Sequence, residues 1–147
     1  MKTLHIACDH AGFSLKTHLT PYIESMGYTV VDHGTSGEES CDYPIFAHKL
    51  CHAVTLENGL GILICGTGIG MSMAANRHPH IRAALCTTEL HARLSREHNN
   101  ANVLCLGARM TGVELAKAIV AAFLCAAFAE GRHARRVSQL TPCENSE

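Results

Sequence analysis

Charge of either sign in excess is what this sequence first lacks. Twelve lysines and arginines stand against thirteen aspartates and glutamates, a formal net charge of −1. Such a balance leaves no electrostatic footprint for nucleic acid and no polybasic patch for a membrane surface. Long apolar runs are missing too, and none approaches the length of a bilayer span. The opening "MKTLHIACDH" brings an aspartate too early for the apolar core of a signal peptide. CxxC pairs are absent although there are eight cysteines. Without a secretory signal these read as reduced thiols in a cytoplasmic protein, several of them filling apolar runs as small hydrophobes.

What is present is a globular composition, 47% hydrophobic and 17% charged over 147 residues. That length suits one domain with a sizeable core. Short apolar runs alternate with longer amphipathic ones. Strands are expected at 3–8, 28–33, 61–65, 81–86 and 102–107. Helices are expected at 12–26, 43–58, 88–98 and 111–129, with a short one ending near Asn76 and a basic segment after the last. Pro21 should disturb the first helix, Gly27 suits its end, and Pro44 sits in the first turn of the second, where proline is tolerated. This alternation predicts an α/β domain, a five-stranded parallel sheet with helices on both faces.

Ligands of such sheets bind outside the carboxyl ends of the strands. That rule selects Asp9, His10, Cys65, the loop 66–70 and Arg109. The loop reads "CGTGIGM". It lacks the third glycine of the dinucleotide fingerprint and the lysine of a Walker A loop, so neither nucleotide mode fits. What remains is a turn whose N–H groups can converge on negative oxygen where a helix begins, an anion cradle or an oxyanion hole. Cys65 stands at its mouth, where helix dipole and loop donors favour the thiolate. A thiolate there can take a proton while the loop holds the resulting oxyanion. The plainer alternative is a buried cysteine that ends a strand.

Other residues add to this picture. "SREHNNANV" ends a helix with His98, an acid–base group, and Asn99. "EGRHARRV" carries Arg132, Arg135 and Arg136; arginines four apart share a helical face and can fork a phosphate. His48 and His52 have a spacing that could hold a metal, but no third ligand is evident, and "HPH" at 78–80 suits a surface turn. "AIVAAFLCAAFA" at 118–129 has no charged side chain. A helix apolar all round is normally buried, so one side is expected on the sheet and the other on a second copy.

Taken together, "ACDHAGFSLK", "DYPIFA", "GILICGTGIGMSMAAN", "LSREHNNANVLCLGAR" and "EGRHARRV" resemble the type B ribose-5-phosphate isomerases, over about residues 2–140. The wider group includes allose-6-phosphate and galactose-6-phosphate isomerases. The resemblance implies a three-layer αβα, Rossmann-like fold that binds no nucleotide, needs no metal or organic cofactor, and forms a homodimer or a dimer of dimers with shared active sites. It implies conversion of D-ribose 5-phosphate to D-ribulose 5-phosphate, in the pentose phosphate pathway. Carried onto this chain, Cys65 is the base between C2 and C1. Some members use a glutamate further along the loop, but Met71 and Ser72 stand beyond it here. Gly66, Gly68, Ile69 and Gly70 offer backbone N–H groups to the enediolate, with the Thr67 hydroxyl. His98 opens the sugar ring. Asp9, His10, Tyr43 and Asn99 position hydroxyls or phosphate, and Arg109, Arg132 and Arg136 bind phosphate. The rival readings are a six-carbon aldose phosphate as substrate, or a non-catalytic nucleotide- or metabolite-binding module.

Overall fold

The computed structural model describes residues 2–142. Five strands are present, β1 (Lys2–Cys8), β2 (Tyr28–Asp32), β3 (Leu60–Cys65), β4 (Ala83–Leu85) and β5 (Val103–Gly107). They form one parallel sheet in the order β2-β1-β3-β5-β4. Six helices connect and cover them, α1 (Phe13–Ser25), α2 (Tyr43–Glu57), α3 (Ile69–Ala75), α4 (Glu89–Asn99), α5 (Val113–Cys125) and α6 (Arg132–Val137).

The sheet is buried on both faces, which is why its strands are near-continuous apolar runs. Leu4, Ile6, Ile62, Ile64, Leu104 and Leu106 face α1, α4 and α5, where Leu19, Ile23, Ile119 and Phe123 meet them. Ala7, Leu63, Cys65, Val103 and Cys105 face α2 and α3, against Leu50, Val54 and Met71. Strand order reverses between β1 and β3. Crossovers leave to opposite sides there, and a crevice opens at the carboxyl ends of those two strands.

Several boundaries differ from the sequence expectation. Pro21 lies inside α1, which runs unbroken to Ser25; Gly27 then turns the chain at φ +90°, with its N–H on the Glu24 carbonyl at 2.9 Å. β4 spans 83–85 and not 81–86. The Asn76 side chain brackets its outer edge, accepting from the Ala83 N–H at 2.8 Å and donating to the Ala83 carbonyl at 2.9 Å, while the Arg82 N–H goes to the Asn102 side chain. The last long helix stops at Cys125 and not near 129. Ala126 is extended, and the Ala129 N–H docks on the Glu97 carbonyl at the end of α4 at 2.9 Å. The apolar residues 126–129 therefore belong to a strap and not to a helical face.

Candidate active site

The crevice between β1 and β3 is built by three short turns. After β1, the Asp9 N–H continues the ladder onto the Ile64 carbonyl, and its carboxylate accepts the N–H groups of Ala11 at 3.0 Å and Gly12 at 3.2 Å. Asp9 is buried, and the register Cys8↔Ile64 sets it beside Cys65. His10 follows on a 3-10 turn. Its Nδ1 accepts the Cys41 N–H at 3.2 Å, with the Cys41 sulfur 3.8 Å away. The neutral His10 ring therefore carries its proton on Nε2, available as a donor.

After β3 comes the glycine loop. Gly68 has φ +78°, and a Cβ there would lie 2.5 Å from Leu85 Cδ1 and 2.9 Å from the Leu106 carbonyl carbon. Only glycine turns the chain there without displacing β5. The loop also presses on the end of β5, where a Cβ at Gly107 would meet the Thr67 carbonyl at 2.6 Å. The turn brings the Gly68 N–H to 3.1 Å from the Cys65 sulfur, and the Ile69 N–H to 3.2 Å from the Thr67 hydroxyl. Two of the expected donors are thus engaged within the loop. Gly70 lies in the first turn of α3, where N–H groups have no intrahelical acceptor.

Two side chains close over the loop. The Tyr43 ring covers Gly70 so nearly that a Cβ there would be 2.7 Å from its Cζ. Arg109 leaves β5 with its N–H on the Gly66 carbonyl at 3.0 Å, and its guanidinium lies over Gly66, Nη1 3.1 Å from where a Cβ would be. Asp9, His10, Tyr43, Cys65, residues 66–70 and Arg109 thus share one end of the sheet. Lys16, which the sequence reading overlooked, supports this end. Buried at 3% exposure, it pairs with Asp32 at 2.7 Å and donates to the Thr35 carbonyl at 2.6 Å, tying the segment after β2 to α1.

The described cysteines are all free thiols; Cys143 lies outside the described residues. Burial pushes Cys8 up to about 11, Cys51 to about 12 and Cys86 to about 11, and raises Cys105 well above its ordinary value. These four are protonated apolar filler at neutral pH. Cys65 is buried as well, at 4% exposure, with the Gly68 N–H 3.1 Å from its sulfur.

His98, Asn99, Arg132 and Arg136 lie elsewhere. α4 starts beside the carboxyl ends of the strands and runs back, ending at Asn99 near the amino end of β5, where the Asn102 carbonyl accepts the Gly61 N–H. Gly61 and Cys65 are four residues apart along β3, so the two ends are about 13 Å apart, and His98 lies beyond. There His98, Asn99 and Arg136 line an open cavity of about 270 Å³ with His133, Val137 and Leu140; Arg132 is one turn before Arg136 on α6. The candidate residues thus fall into two groups at opposite ends of the sheet. His133 was missed in the sequence, where one histidine among arginines gives no sign of the ring it meets.

The spacing of His48 and His52 finds a different use. His48 Nδ1 meets His78 Nε2 at 2.8 Å, and among the described residues no three His, Cys, Asp or Glu are grouped to hold a metal. No helix of the described residues is long and apolar enough to cross a membrane. α5 buries Ala116, Ile119, Val120 and Phe123; Lys117 lies over the Tyr22 ring of α1 at 5.7 Å, Phe123 lies under Arg96 of α4 at 5.5 Å, and Leu115 and Cys125 stay exposed.

Comparison with known proteins gives a consistent result. A sequence profile for Ribose/Galactose Isomerase matches residues 4–140. The chain is 46% identical to ribose-5-phosphate isomerase B of Escherichia coli, over 98% of this chain and 97% of that one. It is 41% identical to D-erythrulose-4-phosphate isomerase of Pectobacterium atrosepticum, over 100% of this chain and 98% of that one. The solved structure of ribose-5-phosphate isomerase B from Clostridium thermocellum superposes with a TM-score of 0.91 at 50% identity, covering 92% of this chain and 93% of that one.

Proposed function

The chain belongs to the ribose/galactose isomerase family, and from that premise we propose that it interconverts D-ribose 5-phosphate and D-ribulose 5-phosphate through an enediolate, with Cys65 as the base. The observation that carries this reading is the Gly68 N–H on the Cys65 sulfur, at the crevice where Asp9, His10 and Arg109 also converge. The thiolate takes the proton from C2 of the open aldose. The C2–H electrons form the C1–C2 double bond, and the carbonyl electrons move onto O1. Once protonated, the sulfur no longer holds the Gly68 N–H as an anion would. That donor then turns to the enediolate oxygen beside it, with the Gly66 and Gly70 N–H groups and the Thr67 hydroxyl. Cys65 returns the proton to C1, the O2 proton passes to O1, and the C2 carbonyl forms. Donors placed on such an oxyanion are worth about 3–4 kcal/mol each, and a positioned base about 10²–10⁴-fold.

His98 acts first. It takes the O1 proton of the furanose; the C1–O4 bond breaks with its electrons on O4, which receives a proton, and C1 becomes the aldehyde. Within one chain His98 cannot reach the Cys65 crevice, so the working unit is a cytoplasmic homodimer in which the partner's His98, Asn99, Arg132 and Arg136 complete each site. Support comes from the exposed apolar side chains beside the crevice: Tyr43 and Ile45 on α2, Ile69 and Met73 on α3 are 38–62% exposed. A second copy laid there removes them from water. Arg132 and Arg136 then meet the phosphate, with His10 donating from Nε2.

Mixing two inactive variants tests the shared site. Cys65→Ser and His98→Asn dimers, dissociated and reassociated together, give heterodimers with one site free of both substitutions, so roughly a quarter of parental activity returns if both sites act independently. Activity that stays at the level of the single variants refutes the shared site. Relative turnover of ribose 5-phosphate, allose 6-phosphate and erythrulose 4-phosphate tests the substrate; ribose 5-phosphate is expected to lead.

A further inference from the structure

His98 and His133 lie face to face, their ring centroids 4.3 Å apart and their planes 8° from parallel. They belong to different elements, α4 and α6, and open onto the same cavity with Asn99 and Arg136. Core packing does not account for this contact, since α6 buries none of its residues and His98 is only half-buried. The strap before α6 brings the two rings together. The Ala129 N–H bonds the Glu97 carbonyl one residue before His98, and the His133 N–H bonds the Glu130 carbonyl at 3.1 Å. A face-to-face contact restrains the plane of a ring while leaving both nitrogens at its edge for other partners. A histidine at an open helix end would otherwise turn about two side-chain torsions, the second of them soft.

We propose that His133 is a positioning residue for His98, holding the plane of its imidazole so that an edge nitrogen meets the sugar oxygens during ring opening. This rests on the reading of His98 as the ring-opening group. The titratable and charged groups around His133 are His98 from α4 and Arg132 and Arg136 from α6. Desolvation first, and then the neighbouring His98, Arg132 and Arg136, hold His133 below the ordinary histidine value, so at neutral pH it is an uncharged aromatic face. An uncharged face is all the role requires, and phenylalanine can supply it.

The two halves of the reaction separate the roles. D-ribose 5-phosphate is a ring that must open. D-ribulose 5-phosphate is open-chain, because the oxygen that would close its furanose carries the phosphate. His133→Ala is expected to lower kcat on ribose 5-phosphate about tenfold, a fraction of a full acid–base contribution, with KM within about twofold. Exchange of solvent deuterium into ribulose 5-phosphate stays near the parental rate. His133→Phe restores isomerisation to within about threefold of the parent, and since it keeps the stack it also serves if His133→Ala folds poorly. In a His98→Asn background, His133→Ala has no further effect on kcat. The proposal is overturned if isomerisation and exchange fall together, if phenylalanine does no better than alanine, or if the two losses multiply. If His98→Asn alone isomerises at the parental rate, the ring-opening reading fails, and the proposal falls with it. If His98→Asn is slow and His133→Ala is not, only the proposal fails.

Discussion

On the proposed mechanism, replacing Cys65 by serine removes the base and changes little else. The sulfur lies 3.1 Å from the Gly68 N–H and is 4% exposed, between the end of β3 and the Met71 layer. A serine oxygen can occupy nearly the same place and accept the same N–H, so the loop keeps its shape. Burying a hydroxyl in place of a thiol there costs about 1 kcal/mol, moderated by that hydrogen bond. The hydroxyl, however, stays protonated at neutral pH and cannot take the C2 proton. Loss of the base removes about 10²–10⁴-fold of kcat, or roughly 3–5 kcal/mol of transition-state stabilisation. Binding contacts from His10, Tyr43 and the arginines remain, so KM should move by less than about threefold, the pattern of an interaction made only in the transition state. Ketopentose formation followed directly, with deuterium exchange into ribulose 5-phosphate as a second readout, should show equal losses. Cys65→Ala should be as slow as Cys65→Ser, since neither carries a base. A Cys65→Ser enzyme with kcat within a few-fold of the parent would return this cysteine to the buried end of a strand. Iodoacetamide offers a check on the parent: Cys8, Cys51, Cys86 and Cys105 are held protonated by burial, so on the proposed mechanism peptide mass should find label on Cys65 and not on those four, and the label should be blocked by ribose 5-phosphate.

Gly68→Ala forces a Cβ to 2.5 Å from Leu85 at φ +78°, so urea unfolding should show a loss of about 2 kcal/mol and kcat should fall as the loop moves; parental values of both would contradict the account of the turn. Arg136→Ala should raise KM for ribose 5-phosphate about ten- to a hundredfold, for a lost charged hydrogen bond of roughly 1.5–3 kcal/mol, and weaken competitive inhibition by inorganic phosphate. Unchanged inhibition would leave Arg136 a solvated surface charge. His5, buried on β1, bonds His33 at 3.0 Å and Glu57 at 3.1 Å, and desolvation followed by the charge of His5 holds His33 below its ordinary 6.5. Below that value the unfolded chain binds more protons than the folded one, so the stability His33 contributes is complete above pH 6.5 and is lost as pH falls through its lowered value. The urea midpoint of the parent should decline over that window, and His33→Gln should flatten the decline; parallel curves would exclude His33 as its source.

Much of the fold was legible because the sheet is parallel and covered on both faces. Runs such as "GILIC" and "NVLCLG" are apolar without alternation, amphipathic segments separate them, and polar turns follow each run, so the carboxyl-end rule alone gathered Asp9, His10, Cys65 and Arg109. Ends set by distant partners were not legible. Nothing local to "IRAALC" announces that Asn76 will take the edge of β4, and nothing in "FLCAAFA" separates the helix from the strap that docks on Glu97. The sequence also named His98, Asn99, Arg132 and Arg136 as polar groups able to act on a sugar phosphate. It did not say that α4 carries His98 back to the far end of the sheet, or that α6 lays His133 upon it. Residue type and local spacing determine what chemistry a side chain can do and which element it joins. Strand order and helix direction determine which side chains meet, because the helix after a parallel strand must return to the opposite end of the sheet. That return takes His98 about 13 Å or more from Cys65, the separation that the proposed second chain would close.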